Sequence, residues 1–140
     1  MGCRIVIDTN IFVGALISPS SFSREVIRRS LTTEYQPLMG NTLFTEYESV
    51  LSRQEVLLKC PLSFKDIETL LAALMSVSEW ISIYYLWRPN LKDEGDNHLI
   101  ELAIAGNAEA IVTNNVKDFQ NANLLFPELS IVKPEELLQR

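Results

Sequence analysis

At 140 residues the chain has the length of one domain, with room for a real core. Hydrophobic residues make up 47% and charged residues 21%, and no apolar run approaches the ~20 residues of a membrane span. A net charge of −6 argues against the broad basic footprint of a nucleic-acid binder, although acids loaded with divalent cations present positive charge to a phosphate. The same acidity suits a basic partner protein. Two cysteines, Cys3 and Cys60, make no disulfide framework, and a single histidine all but excludes a Cys/His zinc site. Asp8 interrupts the early apolar run, so no signal peptide is read and a cytoplasmic location is expected. Val6 stands where a myristoylation signal wants Ser or Thr.

In chain order, Ile5-Val6-Ile7 reads as the end of a buried strand over 4–7, with Asp8 at its carboxyl end. A short helix follows Asn10 and closes at Ser18-Pro19-Ser20-Ser21. A second helix is predicted from Phe22 to Leu31, capped by Ser21 or Ser20. Pro37-Leu38-Met39 reads as a second strand, and Gly40-Asn41-Thr42 turns into a helix over 43–52. Ile67, Leu70, Leu71 and Leu74 give residues 64–77 an amphipathic helical period. Trp80 to Leu86 reads as a strand, and Pro89 to Gly95 as a loop. A helix over 97–106 turns Leu99, Leu102 and Ala103 inward. Strands at 110–113 and 129–132 follow, and Pro134 opens a terminal helix. Strands alternating with helices predict an α/β fold, a mostly parallel sheet covered on both faces.

The carboxylates carry the chemistry. In open α/β sheets ligands bind beyond the carboxyl ends of the strands. Asp8 stands there, either as a ligand or as the cap of the helix that follows. Glu46 shares the stripe of Leu43 and Val50, while Glu48 lies roughly 200° around the helix and faces water. An acid within an apolar stripe is paired, neutralised or metal-bound, unless the stripe ends there and its carboxylate reaches solvent. Asp93, Glu94 and Asp96 crowd a helix start, where acids also favour the helix dipole and cap the first turn. Asn115 and Asp118 bring oxygens to the same sheet edge, or build a turn and cap a short helix. Hard oxygen ligands without His or Cys suit Mg²⁺ or Mn²⁺, the ions of phosphoryl chemistry. Arg24 and Arg28, at i and i+4, are available for RNA phosphates or an acidic partner segment, unless a Glu25–Arg29 pair merely solvates that face.

These motifs in order are Ile-Val-Ile-Asp8-Thr9-Asn10, Glu46 in Thr-Glu-Tyr-Glu-Ser-Val-Leu, Asp93-Glu-Gly-Asp96-Asn-His, and Thr113-Asn-Asn115-Val-Lys-Asp118-Phe. Together they resemble the PIN-domain ribonucleases, and among them the VapC-like toxins of prokaryotic toxin–antitoxin systems, over about residues 4–132. The resemblance implies a three-layer α/β/α fold over 1–140 as a single domain, and Mg²⁺- or Mn²⁺-dependent hydrolysis of RNA phosphodiester bonds. It also implies a homodimer and a cognate antitoxin covering the acidic cleft. By position, Asp8, Glu46 and Asp96 correspond to the family's metal-binding acids. The place of the fourth acid holds Asn115, a neutral and weaker ligand; Asp118 would compensate and Asp93 would add charge. Thr9 and Thr113 would support the site by hydrogen bonds, and Asn10 would hold its loop. Counted along a helix from Asp96, His98 falls on roughly the opposite side, which assigns it to surface or packing.

Two rival readings remain. A catalytically weak or inactive binding module would explain Asn115. An aspartyl-nucleophile phosphatase wants Asp-x-Asp after the first strand, and Asn10 occupies the second acid's place.

Overall fold

The structure, a computed structural model, describes residues 3–18, 21–82, 97–119 and 126–140. Among the described residues five strands form one sheet: β1 Cys3–Ile7, β2 Tyr35–Met39, β3 Glu79–Trp80, β4 Ala110–Val112 and β5 Ser130–Val132. Their order is β3-β2-β1-β4-β5, and each neighbouring pair is parallel. The helices are α1 Thr9–Ile17, α2 Phe22–Leu31, α3 Asn41–Leu51, α4 Gln54–Lys59, α5 Phe64–Val77, α6 Asn97–Ala105 and α7 Pro134–Leu138. A 3-10 turn covers Val116–Phe119. The expected α/β architecture, a parallel sheet between helices, is the one observed. No helix among the described residues is long and apolar enough to cross a membrane.

Local chemistry explains the elements. Ile5, Val6 and Ile7 are all buried, as a central strand covered on both faces requires. Ser21 accepts the Arg24 N–H at 3.1 Å, which fixes the start of α2. α2 packs on α1, α5 and α7, while α6 packs on β1, β2, β4 and α3. Leu99, Leu102 and Ala103 of α6 are buried as expected.

β2 starts two residues earlier than the sequence suggests, so Pro37 lies inside a strand with neighbours on both sides. Proline donates no ladder bond. The β3 pairing begins only after it, at Leu38–Glu79, and the Gln36 side-chain amide bridges the Pro37 and Val77 carbonyls at 2.9 and 3.0 Å. Helix α4 was not anticipated. Of the expected strand over 80–86, β3 contains only Trp80, and residues 83–86 lie outside the described residues.

Tyr47 fixes α3 to the sheet. Its hydroxyl, fully buried, donates to the Ile7 carbonyl at 2.7 Å. Its ring packs edge-on against Phe12, with centroids 5.5 Å apart. Replacing Tyr47 with Phe leaves that carbonyl short of a partner and lowers unfolding stability by about 1–2 kcal/mol, measured by denaturant melts. Unchanged stability would show that the bond contributes nothing net.

Candidate active site

The chain passes from β1 to β2 to β3 on one side, then returns to place β4 on the other side of β1. The strand order therefore reverses between β1 and β4, and a ligand crevice is expected at their carboxyl ends. Asp8 follows β1 and Thr113 follows β4. The Asp8 N–H donates to the Val112 carbonyl at 3.0 Å, which locks the two strand ends together. The Thr113 hydroxyl then donates to Asp8 Oδ2 at 2.8 Å.

Asp8 occupies the position of an N-cap to α1, with extended φ −64° and ψ 150°, yet its side chain makes no capping bond. The carboxylate turns to the crevice instead. Asn10 Nδ2 donates to Oδ2 at 3.3 Å, and the Thr9 hydroxyl lies 3.5 Å from Oδ1. Asp8 is only 5% exposed. Burial raises its pKa above the usual carboxylate value; the Thr113 bond opposes that rise and the nearby Glu46 charge adds to it.

Glu46 arrives on α3, one residue before the Tyr47 anchor. Thr9 Oγ1 donates to Glu46 Oε1 at 3.2 Å, so one hydroxyl proton serves two carboxylates. Glu48 points to solvent, as the helical period requires. On its other oxygen, Glu46 Oε2 lies 2.7 Å from His98 Nε2. An ionised carboxylate only accepts, so His98 donates there as its Nε2–H form. That bond lowers the Glu46 pKa against the opposing effect of burial.

His98 thus belongs to this site, against the sequence expectation. Asp96 lies outside the described residues, so the expectation counted from it has no structural footing, whereas the contact with Glu46 places His98 directly. The chain's single histidine near the first turn of an inward-packed helix was the signal to read. It is 14% exposed, and its Nδ1 is buried without a hydrogen-bond partner among the described residues. His98 also lines a cavity of about 330 Å³ with Asn41, Trp80 and Glu101, a buried acid the sequence did not single out.

The remaining expected residues are placed less centrally. Asn10 Oδ1 accepts the Asn114 N–H at 3.3 Å and so holds the loop after β4. The Asn115 N–H donates to Thr113 Oγ1 at 3.1 Å, while its side chain is exposed. Asp118 is half-buried in the 3-10 turn and lines a separate cavity with Asn115, Lys117 and Lys133. Asp93, Glu94 and Asp96 lie outside the described residues. Among the described residues no group of three acids, histidines or cysteines is poised to hold a metal. Asp8 and Glu46 nonetheless fit a hard divalent cation: two carboxylates share one hydroxyl, and neither forms an ion pair with Lys or Arg among the described residues.

On α2, Arg28 Nε binds Glu25 Oε1 at 2.9 Å and Arg29 Nε binds Glu25 Oε2 at 2.8 Å. This is the solvated-face arrangement, extended to both arginines; Arg24 is half-buried outside that pair. The two guanidinium groups hold Glu25 down to about 2 from an ordinary 4.5. A depressed acid stabilises the fold above its unfolded value and loses that contribution as pH falls through the folded one. Thermal melts should therefore soften between pH 4.5 and about 2, and Glu25→Gln should flatten that part of the profile. An unchanged slope in the variant would count against the pairing.

A family profile for the PIN domain matches residues 4–117. Among solved structures, the chain is similar to VapBC2 of Rickettsia felis bound to a DNA fragment from its promoter. That likeness has a TM-score of 0.58 and 19% identity, covering 91% of this chain and 96% of the other. No curated protein matches the sequence.

Proposed function

This chain belongs to the PIN domain family, whose members are nucleases that generally use divalent metal ions, and from that premise we propose that it is a Mg²⁺- or Mn²⁺-dependent endoribonuclease. The observation that carries this reading is Asp8: a buried carboxylate in a cap position that declines to cap and faces Glu46 across Thr9. In this reading Asp8 and Glu46 hold the cation, with Asp96 joining by family position and Asp93 adding charge. A bound divalent cation supplies a water of lowered pKa and neutralises charge on the reacting phosphate. Thr113 and Asn10 keep the Asp8 carboxylate aimed at the crevice. Thr9 and His98 do the same for Glu46. Such outer contacts keep ligands in register before metal arrives.

The biological setting follows the same reading: a VapC-like toxin of a toxin–antitoxin pair, acting in the cytoplasm as a homodimer, with an antitoxin segment over the cleft. The likeness to the Rickettsia felis complex supports this. A second reading is a weak or inactive binding module, favoured by the exposed amide of Asn115 and by the separation of Asp118 from the Asp8–Glu46 pair.

Single-stranded RNA incubated with the protein separates the two. The nuclease cuts it with Mg²⁺ or Mn²⁺, stops when the metal is chelated, and resumes when it is restored. Cleavage that persists in chelator, or none with either ion, overturns the proposal. Calorimetric titration with Mn²⁺ counts the ions held, and one event instead of two matches a neutral Asn115.

A further inference from the structure

We propose that Lys117 and Lys133 form a subsite for a backbone phosphate of single-stranded RNA, beside the phosphodiester that is cut. The inference rests on the nuclease reading above and adds the direction in which the strand runs, across the carboxyl ends of β4 and β5. Lys117 sits in the 3-10 turn after β4, and Lys133 directly follows β5. Together with Asn114, Asn115 and Asp118 they line a cavity of about 450 Å³.

Three observations point to a polyanion there. First, both lysines are exposed, and neither forms an ion pair among the described residues, whereas Arg4, Arg28 and Arg29 are already bound to Glu79 and Glu25. Asp118 shares the cavity, yet stands beyond ion-pair distance of both, so the lining keeps a net positive charge. Second, the cavity wall is joined to the candidate metal site through two hydrogen bonds. The Asn115 N–H donates to Thr113 Oγ1 at 3.1 Å, and that hydroxyl donates to Asp8 at 2.8 Å. Third, the chain carries 18 acids against 12 Lys and Arg, so general attraction does not deliver RNA to an acidic crevice. A local pair of cations beside the crevice answers that need, because phosphate contacts position a strand without reading its sequence.

The test is fluorescence anisotropy with a labelled single-stranded RNA, read over a salt series. The full chain carries Asp8→Asn so that the RNA stays whole. Adding Lys117→Gln and Lys133→Gln is expected to weaken binding alike for different RNA sequences. The slope of log affinity against log salt should become shallower by about 0.7, the loss of one phosphate contact on a single strand. Both side chains are exposed, and the helix-capping bond at Lys133 is made by its backbone N–H to Glu136, so the fold survives the change. Lys59→Gln with Lys65→Gln, on α4 and α5, is the control and leaves the slope as it was.

RNA binding with an unchanged slope in the Lys117 and Lys133 variant overturns the inference and leaves the nuclease reading intact. No RNA binding by any form, with the unsubstituted chain in Mg²⁺ neither binding nor cutting it, overturns both. Inorganic phosphate titrated by calorimetry distinguishes a free-anion site. Phosphate binding that disappears with the two lysines, while the RNA slope stays put, also overturns the inference. So does lysine-dependent binding of an acidic peptide without that change in slope.

Discussion

Asp8→Asn is expected to lower metal-dependent RNA cleavage by more than about a hundredfold while leaving the fold intact. Changes to groups that merely orient a metal ligand cost 10–100-fold, and Asp8 is read as a ligand itself. The amide keeps an oxygen for Thr113 and Asn10 and keeps the shape of the side chain. It removes a charge that is desolvated and faces Glu46. Without metal, the variant should melt at the wild-type temperature or above it, as expected when strain at a functional site is relieved. Adding Mn²⁺ should raise the wild-type melting temperature by mass action and leave the variant where it was. Cleavage at the wild-type rate would sink the assignment. A large loss of thermal stability in metal-free buffer would make the carboxylate a structural group.

The second large effect is at His98. His98→Ala removes the donor at 2.7 Å from Glu46 and frees that carboxylate to rotate. Mn²⁺ affinity, read by calorimetry, should fall by roughly 10–100-fold. His98→Gln carries an amide N–H to nearly the same place and should recover much of that affinity. A purely packing role predicts the reverse: a lower melting temperature in the alanine variant with Mn²⁺ affinity unchanged. His98 is a positioning residue in this account, because it touches Glu46 and reaches the chemistry only through it.

The helices were the legible part of the chain, and α2 shows why. Ser21 caps at the expected place, and α2 spans Phe22–Leu31 as predicted, because cap and period are both local signals. β2 was read short since proline suggests a strand's first residue, whereas here a Gln36 side chain covers the missing donor. α4 has six residues and buries only Val56, so it carries no stripe to find. Asp8 and Glu46 were legible as carboxylates at telling places, and their meeting was legible from the family resemblance but not from either residue alone. It depends on Thr9 bridging between α1 and α3, and on a β4 neighbour that only the strand order reveals. The Tyr47 hydroxyl was invisible for a similar reason: its partner is a backbone carbonyl 40 positions away. A helical count from Asp96 turned His98 away from the site, whereas its contact with Glu46 on α3 is a tertiary one that no local phase reveals.

The position of β1 in the middle of the sheet has a consequence for how the chain is made. The hydroxyl that aims Asp8 is synthesised 105 positions after it. In a growing chain β2 emerges before β4, so the β4 edge of β1 stays unpaired until then. Non-local parallel pairing is slow, and an open apolar edge invites association with other chains. A chain that stops before Thr113 therefore carries both Asp8 and Glu46 without the crevice that unites them. Such fragments are expected to be inactive and to aggregate, so on the nuclease reading the later strands β4 and β5 decide when the carboxylates can act.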